Sequence, residues 1–227
     1  MGIFNVHSEF TSLFKDLLLS QTDVSRLSAS RRSALFAQGE KADALYFVED
    51  GLIKLTRTNS SGGRLILSLY GPNDLLGEES LSGGHGEYYA EAESLTPSTV
   101  YKVPWVAIKR VIAAHPELGE AFLRHMLDSK LSFARKVELL CLEDVETRIL
   151  YYLADLAKLV KPSEDDLGHP LPITQLELAD LVGATRETIS TTLNHLERRG
   201  FVRLSRRLLT IFPQQQASAI ALGAGQA

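Results

Sequence analysis

The chain has 227 residues, of which 44% are hydrophobic and 23% are charged, and its formal net charge is -4. This is an ordinary globular composition, and the length suits one large domain or two small ones. An acidic total excludes a surface that is positively charged throughout, so any contact with nucleic acid requires a local basic patch.

The chain contains a single cysteine, Cys141. One thiol forms no internal disulfide and supplies too few ligands for a cysteine-held zinc ion or iron–sulfur cluster. This cysteine is expected to be a packed interface residue in a reducing cytoplasm. No run of 18 apolar residues occurs and residues 1–20 have no basic start, so we expect neither a membrane span nor a signal peptide.

Residues 32–103 carry a strand pattern. Turns rich in glycine recur along this region and separate short runs of β-branched, aromatic and leucine residues. The runs are four or five residues long and lie at 45–48, 52–56, 65–69 and 100–103. Their spacing predicts a compact roll of antiparallel hairpins.

A long helix is predicted from about residue 116 to about residue 143, because Pro116 suits a first turn and no helix breaker follows Gly119. Roughly 25 residues span nearly 40 Å at 1.5 Å per residue, which is more than a small domain needs. We therefore expect one face to pack on the roll and another on a second copy, with simple burial inside its own domain as the alternative. The predicted dimer interface consists of Phe122, Met126, Phe133, Val137 and Leu140.

The next segments are read by their caps and composition. Asp144 is a candidate N-cap for a helix that runs to Ala157. The acidic segment 161–170 is expected to be an exposed loop, and residues 213–227 a loosely held tail.

Residues 174–199 predict a helix-turn-helix. Thr174 and Glu177 form a capping box for a first helix, and Gly183 allows a tight turn. Thr185 caps a second helix, whose inner positions are Ile189, Leu193 and Leu196.

The outward side chains of the second helix suit base edges in the DNA major groove. Arginine bonds guanine, glutamate accepts from cytosine, and serine or threonine contacts either an edge or a thymine methyl. The predicted DNA contacts on this helix and its cap are Thr185, Arg186, Glu187, Ser190, Thr191 and Asn194.

A β-hairpin is predicted after Gly200, with strands at 201–204 and 208–212. Its turn carries Arg206 and Arg207, which suit phosphates. Residues 183–212 hold six arginines against two glutamates, and this is the local basic patch that DNA binding requires.

These features together resemble the Crp/Fnr family of bacterial transcription regulators over roughly residues 30–212. The motifs that carry the resemblance are Gln38-Gly39-Glu40, Asp74-Leu75-Leu76-Gly77-Glu78, His115-Pro116-Glu117, and residues 45–51, 143–149 and 182–190. The resemblance implies an α+β chain with an antiparallel β-roll (a double-stranded β-helix) of the cyclic-nucleotide-binding type, a long dimerisation helix and a C-terminal winged helix-turn-helix. It implies a homodimer on an inverted-repeat site in double-stranded DNA.

The resemblance also bears on individual contacts. Family members contact bases through residues that match Arg186 and Glu187, and in the Fnr-like branch through one that matches Ser190. Thr191 stands where an arginine is common, so neither known consensus is expected here. Relatives contact RNA polymerase through the segment matching 161–170, which makes the polymerase an expected partner.

The effector site departs from the family pattern. Gly77 and Glu78 match the Gly-Glu pair of cyclic-AMP-binding members, but Tyr88 and Tyr89 replace the Arg-Ser pair that holds the phosphate. Losing that arginine removes a charge-assisted contact, so cyclic AMP is disfavoured. The candidate effector residues are Gly77, Glu78, Tyr88, Tyr89, Phe133 and Val137.

Other sensing chemistries are weighed by their ligands. An iron–sulfur cluster is disfavoured by the single cysteine, and no metal site is predicted unless haem is bound, in which case His85 or His125 is the candidate ligand. A small-molecule effector other than a nucleotide, or no effector, is left open. A cupin-like enzyme is disfavoured, because the six histidines offer no closely spaced metal pair. We expect a regulator, not an enzyme.

The expected organisation has three parts. Residues 1–115 form the sensor domain, 116–143 the dimerisation helix and 144–227 the DNA-binding domain.

Overall fold

The structure, a computed structural model, describes residues 15–17, 20–82, 86–160, 168–205 and 209–212. The chain divides into two compact units, residues 1–134 and 135–227. The division falls inside a long helix, whereas the sequence-based division treats that helix as a segment of its own. No helix in the described ranges is both long and apolar enough to cross a membrane.

The first unit is an antiparallel β-roll, as predicted. Its strands form two four-stranded sheets, in the orders β1-β8-β3-β6 and β2-β7-β4-β5. The strands are β1 (Ser25–Ala29), β2 (Ala34–Phe36), β3 (Ala44–Asp50), β4 (Ile53–Thr58), β5 (Arg64–Tyr70), β6 (Leu75–Leu76), β7 (Glu91–Ser94) and β8 (Ser98–Pro104). Three of the predicted runs lie within β3, β5 and β8, and the run 52–56 begins one residue before β4.

Strand β3 is covered on both faces, which explains its nearly continuous apolar sequence. Side chains alternate across a strand, so Leu45 and Phe47 face one core cluster while Tyr46 and Val48 face another. The second cluster contains residues of both sheets, and the first includes the helix that follows β8.

Two helices follow the roll, α1 (Trp105–Ala114) and α2 (Glu117–Leu142). The long helix α2 confirms the predicted span. Its predicted dimer stripe needs correction, because Phe122 is only 9% exposed within the roll's core cluster and Met126 packs against the same cluster. The 3-4 spacing marks an apolar face, but this part of that face is covered by the chain's own roll.

The second unit contains the last turns of α2 and three shorter helices, α3 (Val145–Lys158), α4 (Gln175–Val182) and α5 (Arg186–Arg198). The Asp144 carboxylate accepts a hydrogen bond from the Thr147 N–H at 2.8 Å, which confirms Asp144 as the N-cap of α3.

A three-stranded sheet completes this unit, in the order β10-β11-β9, with β9 (His169–Leu171), β10 (Val202–Leu204) and β11 (Leu209–Ile211). Strand β9 corrects the prediction of a loop at 161–170, of which residues 161–167 lie outside the described residues. Pro170 argues against a strand in the sequence, because proline within a sheet is tolerated mainly in edge strands. Strand β9 is such an edge strand.

Candidate nucleic-acid interface

The turn between α4 and α5 is built by local hydrogen bonds. The Thr174 hydroxyl accepts from the Glu177 N–H at 3.1 Å while the Glu177 carboxylate accepts from the Thr174 N–H at 2.9 Å, so the predicted capping box is present. Gly183 ends α4 with a φ of 70°, a left-handed conformation that favours glycine. The Gly183 and Ala184 N–H groups both donate to the Ala179 carbonyl.

Helix α5 is oriented by one cap and one apolar side. The Thr185 hydroxyl accepts from the Thr188 N–H at 3.2 Å, as the sequence predicts for an N-cap. Ile189, Leu193 and Leu196 are fully buried. Burial of this side leaves the opposite side of α5 in solvent.

We call that opposite side the reading face; it consists of Arg186, Glu187, Ser190, Thr191 and Asn194. All are exposed except Ser190, which is half-buried. The backbone N–H of Glu187 and the hydroxyl of Thr185 hold the pKa of the Glu187 carboxyl below its usual range. Near neutral pH this carboxylate is therefore an acceptor, the form that bonds the cytosine amino group.

Thr191 is less available for base hydrogen bonds than its neighbours. Its hydroxyl donates to the Glu187 carbonyl one turn earlier, at 3.0 Å. The bond uses the hydroxyl proton within the helix, so Thr191 offers DNA an acceptor and a methyl group but no free donor.

The wing hairpin follows α5, with β10 and β11 paired antiparallel as predicted. The Arg203 guanidinium lies 5.0 Å from the centre of the Phe212 ring, at the base of the hairpin. The two wing arginines of the prediction, Arg206 and Arg207, lie outside the described residues.

Two glutamates that sequence reasoning missed hold α5 in place. Glu146, in the first turn of α3, accepts from His195 at 3.0 Å and also from Arg199. Glu197 accepts from the Leu204 N–H of the wing at 2.6 Å. No short sequence motif predicts these contacts, because each joins residues that are distant in sequence or lie in different elements.

The candidate effector residues are placed differently from the prediction. Tyr88 is 1% exposed and stacks on Phe36, with ring centres 3.8 Å apart. Its hydroxyl donates to the Ala44 carbonyl at 2.7 Å and accepts from the Ala44 N–H at 3.3 Å. Tyr88 is therefore a fully used core side chain and does not line an open ligand site.

Gly77 lies beside that ring, and Glu78 follows it in the chain. A side chain at Gly77, where φ is 88°, would start 3.2 Å from the Tyr88 ring and 3.1 Å from the Ala44 carbonyl. Burial raises the pKa of Glu78 to about 7. The glycine is thus required by the packing of the roll itself.

The remaining candidates face solvent. Tyr89 is 59% exposed, and the Arg57 guanidinium lies 4.4 Å from its ring centre. Phe133 and Val137 are exposed on α2. Tyr88 is therefore buried in the single chain while Tyr89, Phe133 and Val137 are exposed, and an effector pocket that joins them stays a prediction.

The histidine and cysteine candidates divide in the same way. His125 is buried beside Phe122, and burial lowers the pKa of its imidazole. His85 lies outside the described residues. Cys141 is exposed, and the described part of the chain holds no group of three potential metal ligands drawn from histidine, cysteine, aspartate and glutamate.

Two family models match the chain. Residues 26–115 match the cyclic nucleotide-binding domain, and residues 147–213 match the Crp-like helix-turn-helix domain. The first match covers the roll and α1, and the second covers α3 to the wing.

Individual relatives agree with these matches. The chain is 31% identical over 182 residues to the CRP-like cAMP-activated global transcriptional regulator of Mycobacterium tuberculosis, covering 80% of this chain and 81% of the relative. It is also 31% identical over 201 residues to the cyclic AMP receptor protein of Thermus thermophilus, covering 85% and 88%.

Solved structures share the fold. FixK2 of Bradyrhizobium japonicum superposes with a TM-score of 0.75 at 18% identity, covering 86% of this chain and 96% of that one. The c-di-GMP responsive global regulator CLP of Xanthomonas campestris gives a TM-score of 0.74 at 21% identity, covering 88% and 98%.

Proposed function

The chain belongs to the Crp/Fnr family of DNA-binding transcription regulators, and from this premise we propose that it acts as a homodimer on an inverted-repeat operator. The relatives are regulators, which confirms the expectation that the chain is not an enzyme. The observation that carries the proposal is the reading face, a polar surface held outward on the second helix of a capped helix-turn-helix.

The dimer is supported by a second apolar stripe on α2, distinct from the face that packs on the roll. Leu123 and Leu127 are 69% and 53% exposed. The stripe follows alternating steps of four and three residues, as in a coiled coil. Its members are Leu123, Leu127, Lys130, Ala134, Val137 and Cys141, all exposed in the single chain. Of the interface first predicted, Val137 belongs to this stripe and Phe133 lies close to it.

Two observations on Tyr88 speak against a cyclic nucleotide at the family's position. Tyr88 stands where the resemblance expects the phosphate-binding arginine, and its ring occupies the space beside Gly77. We therefore propose that cyclic AMP does not control this chain and that its regulation is either independent of an effector or uses another site. Calorimetric titration of the protein with cyclic AMP should give no binding heat; saturable binding would contradict this.

Operator selection tests the proposed function. Purified full-length protein, presented with random DNA duplexes, should enrich an inverted repeat whose half-sites lie about 34 Å apart, one turn of DNA. Recovery of no sequence preference would overturn the proposal.

The substitution Arg186→Ala tests the reading face. It should weaken operator binding by ~1–3 kcal/mol and relax the choice at one base pair per half-site, measured by fluorescence anisotropy on single-base variants of the operator. Arg206→Ala serves as the comparison, because a phosphate contact should weaken operator and random DNA alike and flatten the salt dependence. Equal loss on both DNAs for Arg186→Ala would exclude a base contact.

Binding of RNA polymerase and a cytoplasmic location remain predictions.

A further inference from the structure

Lys136 is a buried lysine near the end of α2, within the second unit. Its side chain is 2% exposed, and its Nζ donates to the Leu181 carbonyl at 3.2 Å. Leu181 is the penultimate residue of α4, so its carbonyl is one of the last four that a helix leaves without an internal partner. The ammonium therefore caps the first helix of the helix-turn-helix, at its negative end.

The same ammonium also contacts α3. It lies 4.9 Å from the centre of the Tyr152 ring, within the range of a cation–π contact. The neighbouring Arg135 lies 5.5 Å from the Tyr151 ring in the same way, but at a partly exposed position. Lys136 thus joins the last turns of α2 to both α3 and α4.

Helix α3 in turn holds the reading helix, through Glu146 and its bonds to His195 and Arg199. Helix α4 holds it through the Gly183 turn. Two of the elements that hold α5 in its orientation within this unit, α3 and α4, therefore meet at the Lys136 ammonium.

The choice of lysine here is not explained by stability. Burying an ammonium group has a large desolvation penalty, which an apolar side chain of similar length would avoid. What an apolar side chain lacks is the directional hydrogen bond to Leu181 and the attraction to Tyr152. Lys136 is therefore better suited to fixing the placement of α3 and α4 against the end of α2 than to raising the stability of the fold.

We infer that Lys136 is a positioning residue for DNA recognition. Its ammonium fixes α3 and α4 against the end of α2, so that α5 and its reading face keep a single orientation within the unit. This inference rests on the proposed operator binding. It predicts that removing the charge lowers sequence discrimination without lowering stability.

The test compares Lys136→Met with wild type and with Arg135→Met, a matched loss of a cation at the adjacent position. Lys136→Met should unfold in urea at the same or a higher concentration than wild type. Its affinity for the selected operator should fall about tenfold while its affinity for random duplex stays within about twofold. Arg135→Met should leave both affinities within about twofold of wild type.

A readout without DNA separates this inference from the proposed function. Amide hydrogen exchange at Gly183 and Ala184 should accelerate in Lys136→Met, because the end of α4 loses its cap. Unchanged exchange, or an unchanged ratio of operator to random-DNA affinity, would overturn the role of Lys136. Lower stability with equal loss on both DNAs would reduce it to a structural residue. A wild-type protein that selects no operator would instead count against the proposed function, and the exchange result would still decide whether Lys136 caps α4.

Discussion

In each of the two units, burial shifts the pKa of one ionisable side chain, and the two shifts change proton binding on folding in opposite directions. Asp74 of the roll is 3% exposed, and its carboxyl accepts from the Gly71 N–H at 2.7 Å. Burial raises the pKa of Asp74 to about 8, whereas burial lowers the pKa of Lys136 in the second unit to about 7. Between pH 3.8 and about 8 the folded roll therefore retains a proton that an unfolded chain would release. Below about pH 7 Lys136 keeps its proton and is the ammonium that caps α4, and only between about 7 and 10.5 does the folded second unit release a proton that an unfolded chain would retain.

Asp74 should make the stability of the roll depend on pH. Between the ordinary pKa of 3.8 and the folded value of about 8, the folded state binds more protons than the unfolded state. The free energy of unfolding should therefore fall as pH rises through this window, by up to about 1.4 kcal/mol per pH unit. Urea unfolding followed by the fluorescence of Trp105, the only tryptophan, measures this for the roll, because Trp105 packs against its core.

Asp74→Asn should flatten that slope, because the amide keeps an acceptor for Gly71 but does not titrate. Asp50→Asn makes the same change at an exposed position and should leave the slope as in wild type. A slope in Asp74→Asn as steep as that of wild type would show that another group, such as Glu78, is responsible.

At the scale of elements, each helix of the second unit begins at a side-chain cap. Asp144, Thr174 and Thr185 each accept a hydrogen bond from the backbone N–H three residues later. These caps define where α3, α4 and α5 begin and hence which side chains fall on the buried and exposed sides of each. The reading face follows from the last of the three.

Loss of the Asp144 cap should weaken α3. Asp144→Ala should lower the free energy of unfolding of the second unit by about 1 kcal/mol, because the first N–H groups of the helix lose their acceptor. Amide exchange at Thr147 should rise with it. Asp144→Asn keeps a side-chain oxygen and should stay close to wild type; a loss as large as that of Asp144→Ala would point to the charge instead of the hydrogen bond.

At the scale of the whole molecule, α2 presents two apolar sides with different partners. One side carries Phe122 and Met126 into the core of the roll. The other carries Leu123 and Leu127 into solvent. The single polar member of the exposed stripe, Lys130, is the kind of residue that sets register between paired helices at some expense of affinity.

The dimer is tested on that exposed side. Leu127→Glu would place a carboxylate from each copy in the proposed interface, so it should weaken dimerisation by at least about 100-fold. Size-exclusion chromatography with light scattering should report a monomer, and thermal unfolding of that monomer should remain cooperative. Val106→Glu replaces another exposed apolar residue, on α1 and off the stripe, and should remain dimeric. A dimeric Leu127→Glu protein would place the interface elsewhere.

The sequence by itself determined the features that depend on neighbouring residues. Caps act over three residues, helix periodicity over four and hairpins over a single turn, so the helix-turn-helix, the long helix and the wing could all be located. The spacing of turns and short strand-type runs extended this to the roll, and the family motifs agreed with it. Short strands such as β6 and β9 were missed, because two or three residues carry too little pattern.

Only the tertiary structure decided which apolar or polar side chain meets which partner. Spacing identified the apolar surface of α2 but not that the roll covers Phe122 while Leu127 is left exposed. The sequence pattern likewise could not show that the Tyr88 side chain lies in the core beside Gly77. Nor could it show that Lys136 donates to the carbonyl of Leu181, 45 positions later in the chain. These contacts join residues far apart in sequence, and they exist only once the elements have packed.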